Sequence, residues 1–386
     1  MKTVQEEITT IATITANPDG RQERCHISHN SVSSQLMQPE IRRYVTNAIA
    51  DMTMTGGNDS NTEQLLKALS RYTQVKEQCI SFSEDAATML SAIVATITGE
   101  DATNRRGQIT YVNPYQPIPS VGDIECETLI PSLLNCKDKE IAQCIPEETE
   151  ILYLANPNPI NGEVYSVSQI GRILDSAGAV TVILDESLIE YCGSSAVTLL
   201  KDYNNLLILR SLADAFGLAE TPFYYLLGAE SLINAIRKNI SADTVSEVTK
   251  TTALAALNRP DIMRRSVETI CENRVYLTTL LRRLGVKSLT NPVNFILAEV
   301  EKPDLALDAL KRFGVTAYTV TEAEQITRYL RIPIGNESYC RSLIAAFTRF
   351  PREYYLRTKR EAHTVKTQFT LTSDRRSDNA LHIGVN

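Results

Sequence analysis

An α/β fold, with a mostly parallel sheet covered on both faces and a smaller α+β domain after it, is what this sequence of 386 residues predicts. Three observations predict it. Strand-length apolar runs alternate with helix-period segments from about residue 60 to residue 350. The strand runs are apolar throughout rather than alternating, which marks strands buried on both faces. From residue 294 onward the order of strands and helices changes, as expected of a second unit.

Element by element, EQLLKALSRY at 63–72 has helical apolar spacing. A turn at 81–85 precedes a buried helix at Ala86–Thr98. Strands are expected at Gln108–Val112, 151–155, 180–185 and 205–210, with long helices at 242–257 and 261–284. The second unit reads as strand 294–300, helix 303–313, a strand near 315–320, strand 329–334 and helix 337–347. Beyond Pro351 the chain turns polar, with seven Lys/Arg against four Asp/Glu, so 358–386 is expected to be a flexible or partner-bound tail. The expected organisation is an N-terminal arm with part of the small domain at 1–50, a large α/β domain at 51–265 and a small α+β domain at 266–357.

Composition narrows the function. With 39 Lys and Arg against 46 Asp and Glu the net charge is −7, and no basic stripe with interleaved aromatics occurs. That argues against nucleic acid and for a small-molecule or protein partner. Apolar runs such as 86–97 fall short of the roughly 20 residues a bilayer span needs, so no membrane span is expected. Glu6 and Glu7 stand where a signal peptide would carry an apolar core, which points to the cytoplasm.

Eight cysteines at 25, 79, 126, 136, 144, 192, 271 and 340 include no CxxC pair, so they read as reduced thiols. Cys25-His26-Ile27-Ser28-His29 resembles a metal cluster, but a strand there would part His26 from His29 and no second ligand group is evident. No metal site is expected. GxSxG, Walker and GxGxxG motifs are absent.

Four ordered segments carry a resemblance: Ile151-Leu-Tyr-Leu-Ala-Asn156-Pro157-Asn158-Pro159-Ile160-Asn161-Gly162, Val182-Ile-Leu-Asp185-Glu186, Leu206-Leu-Ile-Leu-Arg-Ser211-Leu-Ala-Asp214-Ala-Phe-Gly-Leu-Ala219, and Tyr329-Leu-Arg331-Ile332. Over residues 25–350 the chain resembles fold-type-I aminotransferases, with the histidinol-phosphate aminotransferase branch the nearest likeness. The resemblance implies the pyridoxal phosphate (PLP)-dependent transferase fold. It also implies that Asp185 matches the partner of the cofactor's pyridine nitrogen, that Ser211 and Asn158 match cofactor-binding positions, and that Arg331 matches the clamp on the substrate carboxylate. The family's sites form across a two-fold interface, which implies a homodimer, or a heterodimer with a lysine-containing homologue.

The departures matter as much. Asp214 stands where the resemblance puts the Schiff-base lysine, and an Asp forms no imine. Pro222 replaces the phosphate-binding Arg, Leu188 the tyrosine at the cofactor's 3′ oxygen, Pro159 its Asn companion, and Gly56 the tyrosine lent by a neighbouring subunit. The phosphate turn reads Ser81-Phe82-Ser83-Glu84-Asp85, so Glu84 is expected to bring a carboxylate, and Phe82 bulk, to the place of the phosphate. His26 and His29 precede Asn30 near the place where the family's arm passes the cleft mouth. His29 is a candidate acid or base, and Asn30, Glu84 and Arg331 are candidate substrate contacts.

Asp185, Glu186, Asp214, Glu220 and Glu84 then converge on one cleft, an acidic pocket suited to an amine or guanidinium. The plainer alternative has Glu84 capping its helix, Glu186 and Glu220 in solvent, and Asp185 without a role. Three functions follow: an enzyme using the cleft without PLP, with Asp214 as general base; a non-catalytic subunit paired with an active homologue; and an aminotransferase holding PLP non-covalently.

Overall fold

The computed structural model describes residues 39–51, 59–99, 108–112, 126–129, 141, 145–219, 221–240, 245–320, 327–350 and 354. Helices α1 (Pro39–Ala50) and α2 (Asp59–Thr73) lead into β1 (Ile80–Ser83), α3 (Ala86–Thr98), β2 (Gln108–Val112), β3 (Cys126–Leu129) and β4 (Thr149–Ala155). Then come α4 (Val167–Ala177), β5 (Thr181–Asp185), α5 (Ile189–Cys192), β6 (Leu206–Ser211), β7 (Tyr224–Gly228), α6 (Glu230–Arg237), α7 (Glu247–Leu257) and α8 (Pro260–Arg283). The last elements are β8 (Ser288–Leu289), β9 (Phe295–Glu299), α9 (Pro303–Arg312), β10 (Tyr318–Thr319), β11 (Tyr329–Pro333) and α10 (Glu337–Arg349).

Seven strands form one sheet in the order β1-β7-β6-β5-β4-β2-β3, and four form an antiparallel second sheet in the order β10-β11-β9-β8. In the large sheet only β7 runs against its neighbours, so the expected mostly parallel sheet is present. All six residues of β6 are buried, as an apolar strand inside a helix-covered sheet must be. One face packs on α3 and α6 through Met89, Ile93, Ile233 and Ile236. The other packs on Leu65, Leu69, Ile170, Ile173, Ala253 and Ala256 of α2, α4 and α7.

Local chemistry sets the helix ends. The Asp85 carboxylate caps α3 by accepting from Ala87 N and Thr88 N, and Ser166 with Gln169 makes a capping box on α4. Ser246 caps α7, so that helix starts five residues later than its apolar pattern suggested. The segment 315–320 pairs over only two residues, Tyr318 and Thr319. Residues 81–83, expected in a turn, belong to β1, whose Ser81 and Ser83 are buried against β7.

The antiparallel β7 follows from its connection. Among the described residues no helix crosses over between β6 and β7; Leu212 N donates to Phe223 O at 3.0 Å and continues the ladder into a ten-residue loop, 213–222, where a parallel return would need a crossover. Strands β1, β4, β5 and β6 share one direction, so their C-terminal ends lie along one edge. Tyr224 is paired with both Ser83 and Ser211, and Asp185 with both Ala155 and Leu209. Ligand sites of open α/β sheets lie outside this edge. Among the described residues no helix is long and apolar enough to cross a membrane.

Candidate active-site cleft

At the end of β5 the Asp185 carboxylate is engaged on both oxygens. Tyr153 donates its phenol to Oδ2, while Oδ1 accepts from Ser187 N at 2.8 Å and Ser187 Oγ at 2.5 Å. Burial and the Asp185 charge push the Tyr153 phenol well above its ordinary value. At the end of β6 the Ser211 hydroxyl accepts from Ala213 N at 3.0 Å, a local turn bond that shapes the start of the loop.

That loop is buried from Leu212 to Ala219, and Asp214 within it is 8% exposed. The side chain of Asn294, just ahead of β9, donates Nδ2 to Asp214 Oδ1 at 3.0 Å. Asn294 also bonds the phenol of Tyr191 on α5, which burial and the charges of Asp214 and Glu190 push far up. The residue after Asn294 is Phe295, and the Arg331 guanidinium lies 4.0 Å above its ring centroid. Through this dipeptide the second sheet, which carries Arg331 on β11, reaches Asp214, 117 residues before Arg331 in the chain.

The wall after β4 is a turn built by its own amides. Asn158 Oδ1 accepts from Ile160 N at 2.8 Å and Asn161 N at 3.3 Å. Gly162 closes this turn at φ +75°, and a Cβ there would lie 2.8 Å from both Asn291 Cβ and Val293 Cγ2. Asn291 Nδ2 also donates to Asn161 O at 2.7 Å, so the segment before β9 grips this wall as well.

Several expectations change. Glu84 neither caps α3 nor fills its N-terminus, because Asp85 already holds those amides; Glu84 Oε1 accepts instead from Ser246 N at 2.6 Å, at the start of α7. Partial burial raises its carboxyl, but bonds from Thr249 and Ser246 and the nearby Lys250 outweigh that and hold it below the usual range. Phe82 does not add bulk at this turn. Strand alternation sends it to the opposite face, where its ring packs 5.6 Å from that of Phe223.

Glu186 lies neither in the cleft nor in solvent. It is fully buried and paired with Arg210, whose Nε and Nη2 donate to its Oε2 at 3.0 and 2.8 Å. Ser195 Oγ and Ala196 N complete its set at 2.8 and 2.7 Å. Leu188 is a core residue beside this network. Cys25, His26, His29, Asn30, Gly56 and Glu220 lie outside the described residues, and among the described residues no cluster suits a metal ion.

Sequence reasoning missed Asn294 and Tyr191. A polar residue ahead of an apolar strand gives no sign of a partner 80 residues away. Lys250 is buried on α7, its Nζ 2.9 Å from Glu247 Oε1 and its charge felt at Glu84. Lys201, another lysine near the sheet, is exposed.

The profile of the class I and II aminotransferases matches residues 5–347. Histidinol-phosphate aminotransferase of Ruminiclostridium cellulolyticum is 23% identical over 316 residues, 78% of this chain and 86% of the relative. Among solved structures, histidinol-phosphate aminotransferase of Sinorhizobium meliloti in complex with PLP superposes with a TM-score of 0.67 at 20% identity, covering 80% of this chain and 86% of that one. A decarboxylase of Sulfurospirillum multivorans gives 0.69 at 18% identity over 82% and 85%, so the shared fold leaves the reaction open. The topology, the edge-on placement of Asp185 and Ser211, and the match over nearly the whole folded length agree: the chain belongs to the class I and II aminotransferase family.

Proposed function

We propose that this family member works without a lysine-bound PLP, and that its cleft binds an amino-acid-like or cationic amine substrate, with Asp214 as general base and Arg331 as the carboxylate clamp. The observation that carries this is Asp214 itself: a buried carboxylate, at the position the resemblance assigns to the lysine, held by the Asn294 amide. An amide donor suits an ionised carboxylate, and an ionised carboxylate attracts an ammonium group.

The residues around it do not fit PLP. That cofactor supplies an electron sink when its pyridine nitrogen meets a carboxylate and its phosphate meets free donors. Here both oxygens of Asp185 are taken by Tyr153 and Ser187, the Ser211 hydroxyl serves Ala213 N, and Asp85 occupies the first amides of α3. Pro222 offers no side-chain donor in place of an arginine.

The same internal satisfaction favours a second reading, a non-catalytic subunit that pairs with an active, lysine-containing homologue. Assembly as a homodimer and a cytoplasmic location belong to the first reading. The test is the absorption spectrum of the purified protein with added PLP, before and after borohydride, with mass spectrometry of its peptides. A spectrum equal to that of free PLP and no lysine adduct support the proposal. An adduct on Lys250 or any other lysine overturns it in favour of a PLP enzyme. The native mass of the protein from its own extract separates homodimer from heterodimer.

A further inference from the structure

Behind the cleft loop lies an ionic cluster in which the buried guanidinium of Arg210 faces two carboxylates, Glu186 buried and Glu190 half-buried. Arg210 of β6 spends its Nε and Nη2 on Glu186 and a further Nη2 bond on Ser195 Oγ. Glu186 is thereby fully served. Glu190 of α5 receives one side-chain bond, from the Tyr72 phenol of α2 to Oε1 at 2.9 Å, and its Oε2, sealed from solvent, has no hydrogen-bond partner among the described residues. The titratable groups facing Glu190 are Arg210, Glu186, Tyr72, Tyr225 of β7, and Tyr191 and Cys192 on its own helix. With both glutamates ionised and the tyrosines and cysteine neutral, the cluster carries one uncompensated negative charge, with Glu190 Oε2 sealed from solvent. With one proton it is balanced.

Two contacts join this cluster to the cleft. The Tyr72 ring stands edge-on to Phe216 at 5.6 Å, and Phe216 is two residues past Asp214 in the loop. Tyr191, the residue after Glu190, bonds Asn294 and lies in the field of Asp214.

We infer that a proton on Glu190 is a switch for the loop that carries Asp214: bound, it leaves α2, α5 and the loop packed around a neutral cluster; lost, it places a second negative charge behind Asp214 and loosens that packing. The inference rests on Asp214 being the working carboxylate of the cleft. The proton goes to Glu190 rather than Glu186 because Glu186 has four donors, while Glu190 has one side-chain donor, its own backbone amide, and an Oε2 without a partner among the described residues. Burial, set against the Arg210 charge, places the Glu190 carboxyl at about 7, which makes the switch turn near neutrality.

The experiment compares the full chain with Glu190→Gln, a mimic of the protonated acid, and with Tyr72→Phe, which removes the donor to the ionised form. Urea unfolding is followed from pH 4.5 to 8, with hydrogen–deuterium exchange of peptides spanning 188–193 and 212–219 corrected for intrinsic rates. Relative to Glu190→Gln, the wild-type folding equilibrium should fall by about two orders of magnitude across pH 4.5 to 7, and protection in both peptides should fall with it. In Tyr72→Phe the midpoint should move to higher pH. An offset between wild type and Glu190→Gln that is constant with pH, or exchange in 212–219 that does not follow the step, overturns the switch. A lysine–PLP adduct with the step intact would instead remove the proposed function and leave the switch standing.

Discussion

Removing one partner of the buried Arg210–Glu186 pair should be among the most damaging single changes to this fold. In Glu186→Ala the guanidinium loses the acceptor of its 3.0 and 2.8 Å bonds, and Ser195 Oγ and Ala196 N lose theirs. Bonds to charged groups contribute about 1.5–3 kcal/mol each, but bonds sharing one carboxylate do not add. Breaking a buried pair from one side costs about 3–5 kcal/mol, a large share of the roughly 5–15 kcal/mol that holds a domain together. The cost should also depend on pH. In the wild type Glu190 is raised to about 7 from an ordinary 4.5, so its contribution to stability is full below pH 4.5 and is lost as pH rises to about 7. In Glu186→Ala the stranded Arg210 has only Glu190 to pair with, which draws Glu190 toward ionisation and removes most of that loss. The mutational cost is therefore larger at pH 5 than at pH 8. Urea denaturation at the two pH values measures both quantities. A cost below about 1 kcal/mol, or one that grows toward pH 8, would refute the assignment of charges in this cluster.

Gly162→Ala forces a side chain into φ +75° and a Cβ within 2.8 Å of Asn291 and Val293, so thermal unfolding should show a loss of more than about 2 kcal/mol. Asp85→Ala removes the cap from α3 and should cost about 1 kcal/mol by urea denaturation, while Asp85→Asn or Asp85→Ser should restore most of it. Asp214→Lys should fail to yield a borohydride-reducible PLP adduct, because Asp185, Ser211 and the α3 amides stay occupied; a lysine-bound cofactor in this variant, detected by peptide mass, would show that those internal bonds yield to PLP.

Much of the large sheet was legible because it rests on local signals. Residues 205–210 read as a strand because Leu206–Leu209 is an unbroken apolar run, and the helix expected at 261–284 lies within a residue of α8 at each end. Strand β1 was not legible. Ser81 and Ser83 are turn-formers by composition and become strand only because β7 supplies partners, Leu226 and Tyr224, more than 140 residues away. Glu84 and Asp85 show the same limit at the site. Two adjacent carboxylates compete for two helix N-termini, and the first free amides of α3 favour the one at its cap, leaving Glu84 to reach across to Ser246.

Family membership, the mostly parallel architecture and the presence of Asp at position 214 were determined by the sequence alone, since each is a matter of residue identity, order and local period. Which acids face the cleft was decided only by the tertiary structure. Glu186 is drawn into the core because Arg210 waits on the neighbouring strand, and a lone buried guanidinium would be costlier than the pair. Asp214 is held by Asn294 because two sheets dock at the loop, a contact that exists only once both have folded. Long-range partners of polar side chains leave no period in the chain, and desolvation, which selects them, acts only when the surrounding elements have closed.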